Sequence, residues 1–227
     1  MSTLSIGCHI SISPSLIDNL NDVVNIGAET AQIFLGKNQS SSLKTKIKLS
    51  PEDIIQIYFF LKKHSFNLFV HSIYLLNFCS FPAKSKRIEY AQKNLIYDLE
   101  LSEKLGVKGV VLHIGYQKNL TKEEAYENMV DNTIHVLNET MKTAPNVKLL
   151  WETPAGQGSQ IATTIDKLKE LYELFLSKSP KSLHKRLGFC IDTAHIFSSG
   201  YAIRMPSGIR KYMKEFDKKI GLRHVHL

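Results

Sequence analysis

The stretch Leu187-Gly188-Phe189-Cys190-Ile191-Asp192-Thr193-Ala194-His195 joins an apolar run to an acid and a histidine. A short run of nearly continuous apolar residues is typical of a strand in a parallel sheet that is covered on both faces. We therefore predict a strand over Leu187–Asp192, which places Asp192 at the strand tip and His195 in the following loop. Both side chains are then expected to face the same end of the sheet.

The same pattern recurs along the chain, and amphipathic runs separate its copies. Strands are predicted over Leu4–Ile10, Thr30–Leu35, Asn67–His71, Gly109–His113, Val147–Trp151, Leu187–Asp192 and Leu222–Leu227. Helices are predicted over Ser15–Ile26, Pro51–His64, Pro82–Leu105, Thr121–Met141, Ile161–Leu176 and Pro206–Lys219. The signals at two helix starts are clear, since Ser50 precedes Pro51 and Thr121 forms a capping box with Glu124. This alternation predicts an α/β fold with a parallel sheet.

Two architectures fit the alternation, an open doubly wound sheet and a TIM-type (β/α) barrel. No glycine-rich phosphate loop follows an early strand, which argues against the doubly wound sheet. Ligand-type side chains follow the strands instead: His71, His113, Glu152, Asp192, His195 and His226. Residues of this kind at successive strand ends are typical of the top face of a barrel. We therefore predict one barrel domain over residues 1–227, truncated after the seventh strand and lacking the C-terminal βα units.

These six side chains also predict a metal site. Imidazole and carboxylate groups together suit Zn²⁺, Mn²⁺ or Fe²⁺, and Zn²⁺ is the commonest ion with such ligands. Six groups exceed the needs of one tetrahedral ion, so a shared or polynuclear site is expected. The alternative is a buried hydrogen-bond network between histidines and carboxylates.

Composition narrows the classes of protein and partner. The 227 residues are 43% hydrophobic and 22% charged, which is ordinary for a globular domain. No membrane-spanning run or secretory signal is found, and three cysteines without CxxC spacing suit a reducing compartment. We expect a cytoplasmic protein, with the nucleus or a viral particle as alternatives. The net charge of +8 favours polyanions, nucleic acid first, although a lysine-rich composition also serves solubility.

At the predicted strand ends the sequence resembles the endonuclease IV family of apurinic/apyrimidinic (AP) endonucleases. The resemblance is carried, in family order, by Ile6–Ser11, Phe34–Gln39, His71–Asn77, Leu112–Gly115, Trp151–Gly158, Cys190–Tyr201 and His224–Leu227. The motifs around Glu152 and Asp192 are specific to the family, whereas those around His9 and His113 are weak when taken alone.

The resemblance implies a zinc-dependent DNA repair enzyme. Its substrate would be double-stranded DNA with an abasic site, cut on the 5′ side to leave a 3′-hydroxyl and a 5′-deoxyribose phosphate. The family holds up to three zinc ions in an eight-stranded barrel. The resemblance assigns His71, His113 and Glu152 to one zinc, Glu152, Asp192 and His226 to a second, and His195 to the third. It makes Glu152 the bridging, catalytic carboxylate.

The resemblance also assigns the DNA contacts. They are His9, Tyr74 and the loop Lys37-Asn38-Gln39. Ser40 stands where the family pattern has an inserted arginine, which is a departure within that loop.

The family pattern continues past the His-Leu of its seventh strand, whereas this sequence stops there. We therefore expect fewer than three zinc ions and a monomer, with completion by a missing C-terminal segment left open. Two alternatives remain. One is a non-catalytic or degenerate remnant that binds abasic DNA, and the other is a sugar isomerase or epimerase-type barrel with one divalent metal.

Overall fold

The computed structural model describes residues 5–227, so Leu4, the first residue of the first predicted strand, lies outside the described residues. Within residues 5–227 the chain forms six strands: β1 Gly7–His9, β2 Thr30–Phe34, β3 Asn67–His71, β4 Gly109–His113, β5 Lys148–Glu152 and β6 Leu187–Cys190. Eight α-helices accompany them: α1 Leu16–Asn25, α2 Pro51–Lys63, α3 Glu89–Leu105, α4 Lys122–Glu139, α5 Ile165–Lys178, α6 Lys181–His184, α7 Thr193–Ser198 and α8 Pro206–Lys219. Over the same residues, no helix is both long and apolar enough to cross a bilayer.

The strands form one sheet in chain order, and every neighbouring pair is parallel. A helix lies between each strand and the next, so all six strands end at the same edge of the sheet. The register places Phe34 beside His71, and Glu152 between His113 and Cys190. The predicted α/β fold with parallel strands is thus confirmed, and the predicted ligands on neighbouring strands become spatial neighbours.

Side chains on β3 to β6 alternate between two apolar environments, as the two-residue period of a strand requires. One set packs with the helices in the main core, for example Val70, Leu112 and Trp151. The other set forms a separate inner cluster of Phe69, Val111, Leu150 and Cys190. Two residues further along the chain, this inner set is followed by His71, His113, Glu152 and Asp192. A layer of polar ligands therefore lies directly above an apolar floor.

Several predicted helices differ from the observed ones. The fifth begins at Ile165 and not at Ile161, and the short helix α6 was not predicted. The third helix begins at Glu89 and not at Pro82. Asn132 donates hydrogen bonds to the carbonyls of Phe78 and Phe81, which fixes the preceding segment as turns. The loop predicted after Asp192 is the short helix α7, because the Asp192 side chain accepts from the His195 backbone N–H at 2.8 Å and caps the first turn.

The prediction of a seventh strand over Leu222–Leu227 is wrong for most of this segment. Leu222–His224 form a 3₁₀ turn, which Gly221 enters with a φ of 105° that favours glycine. Only a single parallel bridge, between Phe189 and Val225, continues the sheet. The apolar and histidine pattern of this segment indicated a strand. In the structure, however, the backbone N–H groups of His224 and Val225 donate to carbonyls within the turn and not to a neighbouring strand.

Candidate metal centre

Three strand ends bring two histidines to one carboxylate. His71, His113 and Glu152 are the last residues of β3, β4 and β5. The Nε2 atoms of His71 and His113 lie 3.2 and 2.9 Å from Glu152 Oε2. His71 and Glu152 are buried, and His113 is partly exposed. Their potential ligand atoms all lie within 4.8 Å of one another, which is close enough to share one cation.

The second oxygen of Glu152 serves a second group. His195 Nδ1 lies 3.2 Å from Glu152 Oε1 and 3.9 Å from Asp192 Oδ2. Glu152, Asp192 and His195 again have potential ligand atoms within 4.8 Å of one another. Helix α7 produces this arrangement, since its capping residue Asp192 and its third residue His195 come shortly after the end of β6 at Cys190. Glu152 thus stands between two candidate ligand sets.

The electrostatics centre on Glu152. Burial opposes its negative charge, but hydrogen bonds from His113, His195 and His71 outweigh that penalty and hold its pKa well below the usual range. In return, the hydrogen bond with Glu152, opposed by burial, raises the pKa of His195 to about 9. A carboxylate that stays ionised while buried among imidazoles attracts cations strongly.

Backbone carbonyls orient two of the imidazoles. His71 Nδ1 lies 2.7 Å from the Ser72 carbonyl oxygen, and His195 Nδ1 lies 2.9 Å from that of Thr153. A carbonyl only accepts, so each Nδ1 carries the proton. The Thr153 hydroxyl also accepts from the Asp192 backbone N–H at 3.0 Å. Partners of this kind fix the tautomer and ring orientation of histidine ligands in metal sites.

The residues fit a metal ion. With its proton on Nδ1, neutral His71 directs the lone pair of Nε2 toward an oxygen of Glu152, which also only accepts. Either a second proton or a cation must relieve that contact. Three imidazoles meet the same carboxylate, and charging all three would leave excess positive charge in a partly buried site. A divalent cation held by Glu152 and by the Nε2 atoms of His71 and His113 relieves these contacts and matches the donor set of zinc sites.

The ligands open into a cavity of about 670 Å³ at the carboxyl ends of the strands. His9 and Tyr74 line this cavity, and both are exposed. The Tyr74 ring centre lies 5.4 Å from that of His113. The structure therefore brings His9 and Tyr74, both predicted DNA contacts, to the candidate metal centre.

The cavity wall also includes residues that the sequence did not assign to the site, among them Gln32, Phe34 and Cys190. Phe34 packs between His9 and His71 with tilted rings, at ring-centre distances of 4.9 and 5.0 Å. Gln32 Oε1 lies 3.2 Å from His9 Nδ1. The two-residue period of β2 could have identified both residues. Gln32 lies two positions before Phe34, the last residue of the strand, so their side chains share one face.

The predicted loop Lys37-Asn38-Gln39 lies beside the centre and not in its wall. The Asn38 carbonyl accepts from the Tyr74 backbone N–H at 3.0 Å, which ties the loop to a cavity residue. Lys37 and Gln39 are exposed, and Lys37 lines a neighbouring cavity of about 640 Å³ between the β1–α1 and β2–α2 connections.

His226 is the one predicted ligand that the structure does not bring to this centre. It belongs to neither ligand group found in residues 5–227. Its ring lies near Gly188, and it lines a different cavity together with Lys148 and Leu187. Lys148 and Leu187 are the first residues of β5 and β6, so this cavity lies at the opposite end of the strands.

Fold and site together define the class of protein: a TIM-type α/β barrel with a candidate metal centre at the carboxyl ends of its strands. The family model of the xylose isomerase-like TIM barrel matches residues 20–227. In structure, the chain resembles endonuclease IV from Thermus thermophilus, with a TM-score of 0.76 and 23% identity over 98% of this chain and 74% of that one.

The sequence relatives are more specific. A putative endonuclease 4 of Acanthamoeba polyphaga mimivirus is 36% identical over 98% of this chain and 70% of its own length. A probable endonuclease 4 of Persephonella marina is 33% identical over 98% of this chain and 73% of its own. The chain therefore belongs to the endonuclease 4 family of xylose isomerase-like TIM barrels, as the motifs around Glu152 and Asp192 predicted.

Proposed function

We propose that this chain is a metal-dependent AP endonuclease, a phosphodiester hydrolase that cuts DNA on the 5′ side of an abasic site. The products are a 3′-hydroxyl and a 5′-deoxyribose phosphate. One observation carries the proposal: three imidazoles converge on the buried carboxylate of Glu152 in a chain of the endonuclease 4 family. Zinc is the proposed metal, because imidazole and carboxylate ligands suit it best.

His71, His113 and Glu152 would hold one cation, and Glu152, Asp192 and His195 would form the adjoining set. Such a cation supplies Lewis-acid stabilisation of charge on a phosphoryl group. The protein's own contribution is to keep Glu152 ionised and shared between the two ligand sets, and to keep the imidazoles oriented. The carbonyls of Ser72 and Thr153 perform that orientation.

The cavity suits an extruded sugar phosphate. An abasic nucleotide has no base to stack, so turning it out of the duplex costs less than flipping an intact nucleotide. Tyr74 and His9 line the opening, where aromatic faces are available to the sugar or to flanking bases. The net charge of +8 supports binding to the phosphates on either side. Double-stranded DNA with abasic sites is therefore the proposed partner.

The direct test is a nicking assay on a duplex that contains one tetrahydrofuran abasic analogue. We expect zinc-dependent nicking that EDTA abolishes, and a product whose 3′ end a DNA polymerase extends. His113→Ala should abolish nicking, whereas His64→Ala, which removes an exposed imidazole at the end of α2, should not. A nick on the 3′ side, or equal nicking by the His113→Ala variant, would overturn the proposal.

The same assay separates the two alternatives. Tight binding of the abasic duplex without nicking, even with added zinc, would select the non-catalytic remnant. Epimerisation or isomerisation of a ketose or aldose without action on DNA would select the sugar-converting enzyme, whose fold class the family model shares.

A further inference from the structure

A second cavity lies at the end of the barrel opposite the candidate metal centre. It measures about 570 Å³, which is within the usual range for small-ligand sites. The starts of β5 and β6, the last turn of α8 and the 3₁₀ turn at Leu222–His224 surround it. Its lining is strongly basic, with four lysines, one arginine and three histidines against a single acid, Glu173.

Two of these cations are already neutralised. Lys169 pairs with Glu173 at 2.7 Å, and Lys219 pairs with Asp166 and Glu215 at 2.7 Å each. Among the residues described, Lys148, Lys185 and Arg223 form no ion pair with a carboxylate. Lys148 Nζ only donates to the Lys185 carbonyl, at 2.7 Å.

The unpaired cations affect one another. Burial and then the charge of Lys185 lower the pKa of Lys148. Arg223 Nε donates to His224 Nε2 at 3.2 Å. Positive charge is thus concentrated around one concave surface, and a bound anion would relieve it. Tyr172 adds an aromatic wall, with its ring centre 5.7 Å from that of His224.

We propose that this cavity, which we call the lower basic cavity, binds a phosphate-bearing anion. Lys148, Lys185 and Arg223 would contact the phosphate oxygens through charge-assisted hydrogen bonds. The site is separate from the candidate metal centre, since it lies at the other end of the strands. The phosphate could belong to a small polyphosphate or to a nucleic-acid backbone, and the experiment distinguishes these sources.

The test compares two double variants of the full chain. Lys185→Gln/Arg223→Gln removes two exposed charges from the lower basic cavity, and Lys63→Gln/Lys211→Gln removes two exposed charges elsewhere. Calorimetry measures binding of inorganic tripolyphosphate, and fluorescence anisotropy measures binding of a short single-stranded oligodeoxynucleotide without abasic sites. We expect the first variant to weaken binding at least about tenfold and the second to change it less than about twofold.

The outcomes are decisive in each case. Weakened binding of tripolyphosphate alone supports a small-phosphate site, and weakened binding of both probes supports a site for the nucleic-acid backbone. Equal weakening by both variants would show a diffuse charge effect and overturn the proposal. Unchanged binding in the Lys185→Gln/Arg223→Gln variant would also overturn it. Matched circular dichroism spectra of the variants exclude misfolding as the cause.

Discussion

Glu152 is the residue on which the candidate site depends, because both ligand groups include it. Its two oxygens receive three imidazoles within 3.2 Å. The carboxylate therefore acts as a common anchor, while each histidine contributes to one side only. Loss of its charge should affect both groups, whereas loss of one histidine should affect one.

Glu152→Gln should abolish zinc-dependent nicking of an abasic duplex and weaken zinc binding, because the amide keeps the size of the side chain but removes its charge. Nicking rate and zinc affinity, measured by chelator competition, check this prediction. Glu123→Gln, at an exposed position of α4, is the matched control. Wild-type nicking by the Glu152→Gln protein would remove Glu152 from the mechanism.

The reactivity of the three cysteine thiols tests which of these side chains are buried. Cys8 is exposed, whereas Cys79 and Cys190 are buried. Burial raises the pKa of Cys79 to about 12 and lifts that of Cys190 above its usual range. Since the thiolate is the reactive form, Ellman's reagent should titrate one thiol per native chain and three in denaturant. Two or more fast thiols in the native state would contradict the structure around β6 or around Cys79.

At the scale of elements, the β2–α2 connection is anchored to α3. Lys46 and Asp98 form a buried ion pair at 2.6 Å. Tyr97 donates to the Ile47 carbonyl at 2.9 Å, and Asn94 donates to that of Ser41 at 2.8 Å. These contacts hold the segment that follows the predicted DNA-binding loop Lys37-Asn38-Gln39.

Lys46→Met should lower the free energy of unfolding by about 3–5 kcal/mol, because it leaves Asp98 buried without its partner. The double variant Lys46→Met/Asp98→Leu should recover most of that loss, since it removes both charges. Urea denaturation measures both effects, with the exposed Lys44→Met as control. A loss below about 1 kcal/mol in the single variant would show that the pair is solvated, as exposed pairs are.

Much of the element order could be predicted from the sequence. The apolar runs that end in His71, His113 and Glu152 identified β3 to β5 nearly to the residue, because strands covered on both faces have few polar positions. Ser50 before Pro51 and the capping box at Thr121 marked two helix starts. Helix α7 was missed because its six residues are fewer than two turns, too few for a periodic pattern.

The candidate site was predictable only in part, for a related physical reason. Residues at the ends of neighbouring strands share an edge by topology alone, so the grouping of His71, His113 and Glu152 follows from the parallel sheet. His226 depends instead on a local turn at Gly221, which tertiary contacts with β6 decide. The closeness of His195 to Glu152 depends on the cap of α7, which the strand pattern does not contain.

At the scale of the whole molecule, metal binding should stabilise the fold, because a ligand that binds only the native state shifts the unfolding equilibrium. Free Zn²⁺ at about 100 times its Kd should add about 2.7 kcal/mol. For a chain of this length, that corresponds to a rise in Tm of roughly 5–10 °C. Differential scanning fluorimetry with and without EDTA measures the shift. An equal shift in His71→Ala would place the bound metal elsewhere.

The inner apolar residues of β3 to β6 and the polar ligands above them limit which sequence changes these strands tolerate. His71, His113 and Glu152 each follow an inner apolar residue by two positions, so side chains in between face the helices. Deletion of one residue within β4 would turn His113 outward and bring Leu112 inward. A deletion within these strands should therefore disrupt the candidate site more than a side-chain substitution does. Insertions should be tolerated only in the connecting loops.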